Sequence, residues 1–457
     1  MKTIKKLFVV TIVTFLASHA IAQTSIIKGI VDPKGASIKG SVSLMKIENG
    51  EPRVLTSAKL KEGGRFEFSY EPGYEGLYMV GSPKSQDGQF PVYIKPGDKA
   101  ELIIEGVHAR FIGDNTVENK KLGSWMDLTQ SLKRKSVHFM YSYTVDGITN
   151  YEDFFPDLDE TAKKAVNFRK GIKTGNPKFD ELLNKLTSFD MEFYALQYLS
   201  TPRTKHPKKE DYPALYKAMI IENKFPDDSV FDLPYGKQFL RLYLNFATNH
   251  SQDVESKIAL LSTNRQKGEY LLGVFTPKIQ LYDQLKTMLD SYGQYFATKD
   301  QKEQVERLKK KFPENKSRIQ AADFEFPNID GDMVSLYQQK GKVVYVDVWA
   351  TWCGPCRQQI PHLKELEKAM HGKDIVFISI STDSQQDIEK WKKMVREEEM
   401  GGIHLFAGPN SKIKRDYNIT GIPRFILFDK EGRIILDDAP RPSDPSLKQI
   451  LENELLR

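Results

Sequence analysis

Cysteine is scarce in this sequence of 457 residues, which contains only Cys353 and Cys356, three positions apart. A scaffold held by several disulfides is therefore excluded, as is a zinc site built from four cysteines. Long apolar runs are also lacking: Leu7–Ala17 has eleven residues, whereas a membrane-spanning helix needs about 20. The charge of +6, from 67 basic and 61 acidic residues, is too small an excess to indicate a nucleic-acid partner.

Residues 1–22 have the pattern of a secretory signal peptide. Lys2, Lys5 and Lys6 form a basic start, Leu7–Ala17 follows as a mostly apolar run, and Ala20-Ile21-Ala22 offers small residues for a signal peptidase. We expect cleavage after Ala22, and an uncleaved membrane anchor is the alternative. No cysteine follows the cleavage position, so a lipoprotein anchor is not available. The mature protein is therefore expected to be exported, without stable insertion into a membrane.

Export gives the cysteine pair a further meaning. Outside the cytosol, thiols are readily oxidised, and structural cysteines there usually form pairs between distant residues. A disulfide between Cys353 and Cys356 closes too small a loop to stabilise a fold much. The pair is better explained by redox chemistry than by a structural role.

Residues 23–112 are predicted to form a small β-sandwich domain. Phe66, Phe68 and Tyr70 alternate with polar residues after the Gly63-Gly64 turn, which is typical of a half-buried strand. Turn-forming sequences such as Glu48-Asn49-Gly50 separate the predicted strands. Further strands are predicted at Ser25–Val31, Ser41–Ile47, Leu77–Val80, Pro91–Ile94 and Glu101–Ile104.

Residues 113–320 are predicted to form a helical domain. Apolar residues from Phe179 to Leu196 recur at helical spacing on one stripe, and Pro177 precedes them at a position that suits a first turn. Aromatic residues at this spacing are more often core than ligand-binding. Other helices are predicted at Gly236–Thr248, Leu281–Tyr295 and Asp300–Phe312.

Residues 321–457 alternate between strand and helix patterns and predict an α/β domain. Val343–Val348 and Ile375–Ile380 are apolar runs, as expected of central strands that are covered on both faces. A helix lies between them, and Phe425–Phe428 and Arg433–Leu436 predict a terminal hairpin. The whole chain is thus expected to be multidomain, with an amino-terminal β-sandwich, a helical middle region and a carboxyl-terminal α/β fold.

Trp352-Cys353-Gly354-Pro355-Cys356 directly follows the predicted strand Val343–Val348 and opens a helix. This context makes a short pattern specific. Free N–H groups and the dipole at a helix start stabilise a thiolate, so the first cysteine titrates closer to neutral pH. The two intervening residues bring the second sulfur within disulfide reach, and the pair can cycle between dithiol and disulfide.

These residues resemble the thioredoxin superfamily, and within it the exported TlpA/ResA-like thiol–disulfide oxidoreductases. The resemblance covers about the last 135 residues. It includes Asp347, Trp349, the run Trp352–Cys356, Pro361 and the loop Gly421-Ile422-Pro423, in which the family has a cis proline. The distance from Cys356 to Pro423 fits the helix-containing insertion of the TlpA-like branch, here around Ser384 to Met400.

The resemblance implies three catalytic residues. Cys353 corresponds to the exposed nucleophile that forms a mixed disulfide with the substrate, and Cys356 corresponds to the cysteine that resolves it. Asp347 matches a buried carboxylate that assists proton transfer at the second cysteine, and its alternative is a solvated charge at a strand end. The lysine that partners this carboxylate in cytosolic thioredoxins has no counterpart in Ile375–Ser381, so the tuning of Asp347 stays open.

Five further residues are implied to bind substrate: Trp352, Gly354, Pro355, Ile422 and Pro423. Trp352 and Ile422 would line a flat apolar surface, and the backbone of Ile422 would pair with an extended substrate segment. Arg424 stands where many relatives have a small polar residue. The eight histidines, including His404, show no metal-ligand spacing, so neither a metal nor another cofactor is expected.

The Gly-Pro pair between the cysteines resembles that of reducing thioredoxins, which favours an exported, periplasmic reductase of protein disulfides. In the family, such reductants serve cytochrome c biogenesis or cell redox homeostasis and are recharged by a membrane electron donor of the DsbD type. A disulfide oxidase or isomerase is one alternative. A thiol peroxidase is another, although Ala350 and Val346 stand where its threonine and proline would be. A scaffold protein is the third.

The order of a β-domain, a helical region and a TlpA-like domain resembles envelope proteins of Bacteroidetes. Nothing in residues 23–320 identifies a partner. Their size and lack of catalytic motifs favour a role in positioning a client protein, or in forming a homodimer.

Overall fold

The computed structural model describes residues 24–32, 38–84, 88–137, 150–202, 205–313 and 319–457. The predicted signal peptide, residues 1–22, lies outside the described residues. The chain forms two compact units: the first extends to Lys278 and includes Thr287–Arg307, and the second comprises Ile279–Lys286 and Leu308–Arg457. The domain limits predicted at residues 22, 112 and 320 stay predictions.

The β-rich part of the first unit is a sandwich of two four-stranded sheets, as predicted. Its strands are β1 (Ser25–Val31), β2 (Ser41–Glu48), β3 (Glu51–Lys59), β4 (Arg65–Tyr70), β5 (Gly76–Gly81), β6 (Gln89–Ile94), β7 (Lys99–Glu105) and β8 (His108–Phe111). One sheet has the order β4-β1-β7-β8 and the other β3-β2-β5-β6. Apolar side chains from both sheets, among them Ile27, Leu44, Phe66 and Val80, form one core.

The strands β3 and β8 were not predicted from the sequence. β3 lies at the edge of its sheet and exposes Val54 and Leu55, so burial imposes no alternation on its residues. Asn49 and Gly50 connect β2 to β3 with φ values of 52° and 73°. Two positive φ angles are what a tight two-residue hairpin turn requires, which explains the Asn-Gly pair.

Nine helices are described between residues 117 and 311, and they confirm the helical middle region. They are α1 (Val117–Val137), α2 (Tyr151–Lys170), α3 (Pro177–Ser200), α4 (Ala214–Ala218), α5 (Gly236–Ala247), α6 (Val254–Ile258), α7 (Asn264–Phe275), α8 (Tyr282–Tyr292) and α9 (Lys299–Lys311). Pro177 occupies the first turn of α3, and Phe179, Leu183 and Leu186 are buried along its predicted stripe. A 3₁₀ turn, Gly293–Tyr295, ends the helix that was predicted to extend to residue 295.

Aromatic residues of the helical region are core residues, as the sequence analysis expected. The rings of Phe154 and Tyr198 stack with their centroids 3.9 Å apart. The indole N–H of Trp125 donates to Asp190 Oδ2 at 2.7 Å, which joins α1 to α3. Burial raises the pKa of Asp190 to about 6.

The second unit contains a six-stranded sheet with the order β14-β13-β12-β15-β16-β9. Its strands, together with the separate hairpin β10-β11, are β9 (Ile319–Gln320), β10 (Glu325–Pro327), β11 (Met333–Ser335), β12 (Val343–Trp349), β13 (Ile375–Ser381), β14 (Ile403–Phe406), β15 (Arg424–Phe428) and β16 (Arg433–Leu436). β12, β13 and β14 are parallel, whereas β15 pairs antiparallel with both β12 and β16. The two predicted central strands and the terminal hairpin are therefore confirmed.

Helices cover both faces of this sheet. They are α10 (Gly354–Arg357), α11 (Ile360–Ala369), α12 (Ile388–Glu397), α13 (Lys412–Asp416) and α14 (Pro445–Leu455). On one face Val344 packs in a cluster with Ile413 of α13, and on the other Val343 packs in a cluster with Leu363 of α11 and Leu447 of α14. This arrangement explains the uninterrupted apolar runs of β12 and β13. The carboxyl-terminal part is the predicted thioredoxin-like fold.

Candidate active site

The two cysteines lie where β12 ends and α10 begins, in the predicted order of strand, Cys-x-x-Cys and helix. Cys353 is the N-cap residue of α10, and Cys356 lies within that helix. A disulfide joins them, with Cα atoms 5.3 Å apart. α10 ends at Arg357, and a new helix, α11, starts with Pro361 in its first turn.

The start of α10 supplies a hydrogen bond to the first sulfur. The backbone N–H of Cys356 donates to Cys353 Sγ at 3.2 Å. In the reduced protein this Sγ position is that of the thiolate, whose negative charge the N–H and the helix dipole stabilise. Cys353 is therefore the cysteine whose ionisation the local backbone favours.

Both cysteines are buried in the disulfide form: Cys353 is 4% exposed and Cys356 is 3% exposed. The expectation of an exposed Cys353 was wrong for this state. The reason is the apolar cluster around the pair, in which Trp349, Trp391 and Phe406 pack with both cysteines. Access to the sulfur of Cys353 is thus limited by its neighbours, which sequence position alone did not indicate.

The predicted substrate-binding residues border this cluster. Trp352 is 65% exposed, and Gly354 and Pro355 are exposed beside it. Ile422 is half-buried and packs against the cluster that contains both cysteines. The bond between Ile422 and Pro423 is cis, as the resemblance implied. Their role in binding a substrate stays a prediction.

Asp347 lies on β12, six residues before Cys353, and is 5% exposed. Burial raises its pKa to about 8, with a smaller contribution from the negative charge of Glu367. Its Oδ1 atom has no hydrogen-bond partner among the described residues. The alternative of a solvated charge at the strand end is therefore wrong, and a carboxyl group that titrates near neutral pH suits proton transfer.

Glu367 was not predicted to belong to the site. His404 was predicted only as an ordinary core or surface residue. Burial raises the pKa of Glu367, on α11, to about 7, although Lys364 opposes this shift. Burial lowers the pKa of His404, on β14, and keeps its imidazole neutral. The one available signal for Glu367 was its position beside the buried Leu363 and Leu366 of the same helix.

The loop between β12 and the first cysteine is held by the end of β13. The N–H and hydroxyl of Thr382 donate to the carbonyl oxygen of Trp349 at 2.9 and 3.1 Å. The buried carboxylate of Asp383 accepts hydrogen bonds from Thr351 and Ser381. These residues carried no motif in the sequence, so their function as a clamp on the loop was not predicted.

The fold and the site define a thioredoxin-like domain of the thiol–disulfide oxidoreductase class. Residues 318–436 match the model of the AhpC/TSA family. The chain is 30% identical to the thioredoxin-like protein YneN of Bacillus subtilis over 115 residues, which are 25% of this chain and 66% of that protein. It is 26% identical to the thiol-disulfide oxidoreductase ResA of Bacillus thuringiensis over 133 residues, 29% of this chain and 75% of that one.

Solved structures from Bacteroides are similar to about three tenths of the chain. The thioredoxin domain of a thiol-disulfide oxidoreductase from Bacteroides vulgatus is 30% identical, with a TM-score of 0.27, and the match covers 29% of this chain and 93% of that one. A thiol:disulfide interchange protein from a Bacteroides species is 27% identical with a TM-score of 0.28, over 31% of this chain and 90% of that one. Within the described ranges, no helix is long and apolar enough to cross a membrane.

Proposed function

We propose that the protein is an exported, periplasmic reductase of protein disulfides that uses Cys353 and Cys356 as its dithiol. The observation that carries the exchange chemistry is the hydrogen bond from the Cys356 N–H to Cys353 Sγ, because it stabilises the thiolate that attacks a client disulfide. The Gly354-Pro355 pair between the cysteines supports the reducing direction, and the similarity to the thiol-disulfide oxidoreductase ResA supports the exchange chemistry.

In the proposed reaction, the Cys353 thiolate attacks one sulfur of a client disulfide. A mixed disulfide forms, and the expelled client thiolate takes a proton from water. Asp347 in its ionised form then takes the proton of the Cys356 thiol, and the resulting thiolate attacks Cys353 Sγ and releases the second client thiolate. The client gains two electrons from the cysteine pair, which becomes the disulfide, and the two client thiolates take their protons from water. The proton of Cys353 has passed to water on its ionisation, and that of Cys356 has passed to Asp347.

We also propose the compartment, the electron donor and the clients of this reaction. The basic and apolar segments of residues 1–22 support export through a cleaved signal peptide. Once oxidised, the pair needs an electron donor, and a membrane thiol carrier of the DsbD type is the proposed one. Apocytochrome c thiols are a proposed client, as are other envelope thiols whose reduction maintains cell redox homeostasis.

Trapping of the mixed disulfide tests the proposal. Cys356→Ser leaves the attacking cysteine but removes the one that resolves the mixed disulfide, so we expect it to accumulate a covalent complex with a disulfide-containing client. Cys353→Ser is the matched control and should trap none. Mass spectrometry of the mature protein with oxidised insulin measures both. An equal yield from the two variants, or from neither, would contradict the proposed roles.

The alternatives predict different outcomes. A thiol peroxidase would consume hydrogen peroxide rapidly with a thiol donor, whereas Val346 and Ala350 are fully buried apolar residues at the two positions that this activity needs. We therefore expect no more peroxide turnover than from the protein with both cysteines replaced by serine. An oxidase or isomerase would instead form disulfides in a reduced client.

For the first unit we propose client positioning or dimer formation rather than chemistry. A half-open cavity of about 210 Å³ lies in this unit, with Phe90, Trp125 and Phe193 in its wall and Lys133 and Arg134 also lining it. A cavity with apolar walls and a few polar groups is typical of a binding site. Light scattering of the mature protein tests the dimer, which a monomer mass would rule out.

A further inference from the structure

Behind the cysteine pair, three strands place two titratable side chains in one row of the sheet. In the parallel register, Asp347 of β12 lies opposite Ser379 of β13, and Ser379 lies opposite His404 of β14. Residues in register on adjacent parallel strands point to the same face, with strands about 4.8 Å apart. Asp347 and His404 therefore face the same side, two strands apart.

A third titratable group reaches this face from α11. Leu363 and Leu366 of α11 pack in one cluster with residues of β12, so the helix covers the side that Asp347 faces. Glu367 follows them on this helix, and its carboxylate lies against the backbone of Gly401, where an added methyl group would overlap it. Its negative charge contributes to the raised pKa of Asp347, so the two carboxyl groups are near enough to interact.

Each of these three side chains has a buried atom with no hydrogen-bond partner among the described residues: Asp347 Oδ1, Glu367 Oε1 and His404 Nδ1. Buried polar atoms are almost always paired, and several unpaired atoms on one face of a sheet indicate a functional site or bridging water. His404 Nε2 donates to the Met400 carbonyl at 3.2 Å, which leaves Nδ1 as an acceptor in the neutral ring. Such an acceptor requires a donor, which a water molecule or a protonated carboxyl group can supply.

The three groups differ in their access to solvent. Asp347 and His404 are buried, whereas Glu367 is only partly buried and lies one helical turn from the exposed Lys364. Lys364 donates to the carbonyl of Glu398 at 2.8 Å and so stays at the surface. Glu367 is thus the most solvent-accessible of the three groups.

We propose that Glu367 is the proton-exchange residue of the redox cycle, passing to solvent the proton that Asp347 receives from the Cys356 thiol. The proton moves from Cys356 Sγ to the Asp347 carboxylate, then through a bridging water to the Glu367 carboxylate, and then to bulk water. No electrons move in these steps. The bridging water donates a hydrogen bond to His404 Nδ1, which holds it in place. Glu367 acts through Asp347, so it is a positioning residue rather than a catalytic residue.

This inference rests on the proposed reductase function. It also depends on the charges around Asp347 and Glu367. Facing Asp347 and Glu367 are Lys364 on α11, Tyr345 on β12 and His404 on β14. The neighbouring strands place Ser379 and Phe425 opposite Asp347, and neither of these side chains is charged near neutral pH. Glu367 is thus the nearby negative charge that a single substitution can remove.

The test compares three variants of the mature protein with the wild type. Glu367→Gln removes the charge at constant size, and Gly401→Ala retains the charge but displaces the carboxylate. Glu365→Gln, an exposed position on the same helix, is the matched control. Carbon-13 NMR of the Asp347 carboxyl group in the oxidised protein gives its pKa without any need for activity. The rate at which a preformed mixed disulfide resolves is measured across pH and buffer concentration.

We expect Glu367→Gln to lower the pKa of Asp347 by about one unit, because a nearby negative charge is lost. Resolution of the mixed disulfide should slow about tenfold at pH 7, as expected for a lost proton-transfer group, and should accelerate with added imidazole. Gly401→Ala should change both quantities in the same direction and Glu365→Gln neither. The inference would be overturned if the pKa of Asp347 were unchanged in both test variants. It would also be overturned if the rate of resolution changed neither on replacement of Glu367 nor with buffer concentration.

The result also separates this inference from the proposed function. If the wild type reduces insulin but the pKa of Asp347 does not change when Glu367 is replaced, the inference fails and the proposed reductase function is retained. If the titration shifts as expected but the wild type forms no mixed disulfide, the proposed function fails, and with it the redox role of Glu367. The conservative Glu367→Asp variant should restore the buffer-independent rate in part, which loss of packing alone would not produce.

Discussion

Asp383 accepts two hydrogen bonds from Thr351, at 3.0 Å from its N–H and at 2.8 Å from its hydroxyl. Thr351 lies two residues before Cys353, and Asp383 follows the end of β13, so this pair connects the reactive loop to the neighbouring strand. The Ser381 hydroxyl donates to the same carboxylate at 2.7 Å. Asp383 is fully buried, and its charge is therefore compensated by these donors.

Replacing Asp383 should destabilise the oxidised protein. Asp383→Ala leaves the N–H and hydroxyl of Thr351 and the hydroxyl of Ser381 without an acceptor, which should cost about 2–4 kcal/mol in the free energy of unfolding. Denaturant unfolding measures this loss. Asp374→Ala, an exposed aspartate just before β13, is the control and should change stability by less than about 0.5 kcal/mol. Equal stability of the two variants would show that the clamp contributes little.

Asp347 should make the protein less stable as pH rises. Its carboxyl group holds a proton up to about pH 8 in the folded state and only to about pH 3.9 in the unfolded state. The folded state therefore binds more protons between these values, and the free energy of unfolding falls across this window as pH increases. Burial of Glu367, whose pKa is raised to about 7, adds to the same slope.

Asp347→Asn should remove much of the decrease in the free energy of unfolding with rising pH, because an amide cannot ionise. At pH 8 the variant should be more stable than the wild type by about 5 kcal/mol, since the pKa rises by about four units on folding and each unit corresponds to about 1.4 kcal/mol. At pH 4 the two should be alike. Denaturant unfolding at both pH values measures the difference, and Asp374→Asn controls for a general effect of charge. A variant that is less stable than the wild type at pH 8 would contradict the claim that ionisation of the buried Asp347 destabilises the folded protein.

Trp352 should contribute to client binding without affecting the fold. Its side chain is 65% exposed beside the buried cysteines. Trp352→Ala should lower kcat/KM for a protein client about tenfold, as truncation of an exposed aromatic anchor commonly does. Reaction with a small aromatic disulfide should stay within about twofold. Met333→Ala, another exposed apolar residue of the same unit, is the control. Equal losses with both substrates would point to a damaged site instead.

The parts of the site that were predicted from sequence are those with local patterns. Cys353 and Cys356 follow a recognisable strand, and Pro423 lies just before a strand of the predicted hairpin, so spacing along the chain was sufficient. β3 was missed because neither of its faces is buried enough to impose a period. The burial of Cys353 was also missed, since its apolar neighbours Trp391 and Phe406 come from distant elements.

Glu367 and His404 show why other parts of the site could not be predicted. They share one face of the sheet with Asp347 only because three parallel strands align in one register and a helix covers them. Nothing in the residues around position 367 or 404 indicates this proximity. Asp383 is a similar case, because its partner Thr351 is 32 positions away in the sequence.

The equilibrium reduction potential of the Cys353–Cys356 pair tests the central claim most directly. Titration of the mature protein against a thiol buffer, followed by the fluorescence of the nearby Trp349 and Trp352, gives this value. A reductase predicts a potential near that of thioredoxin, about −270 mV. A potential above roughly −180 mV would contradict the account and make the protein an oxidant or isomerase of disulfides.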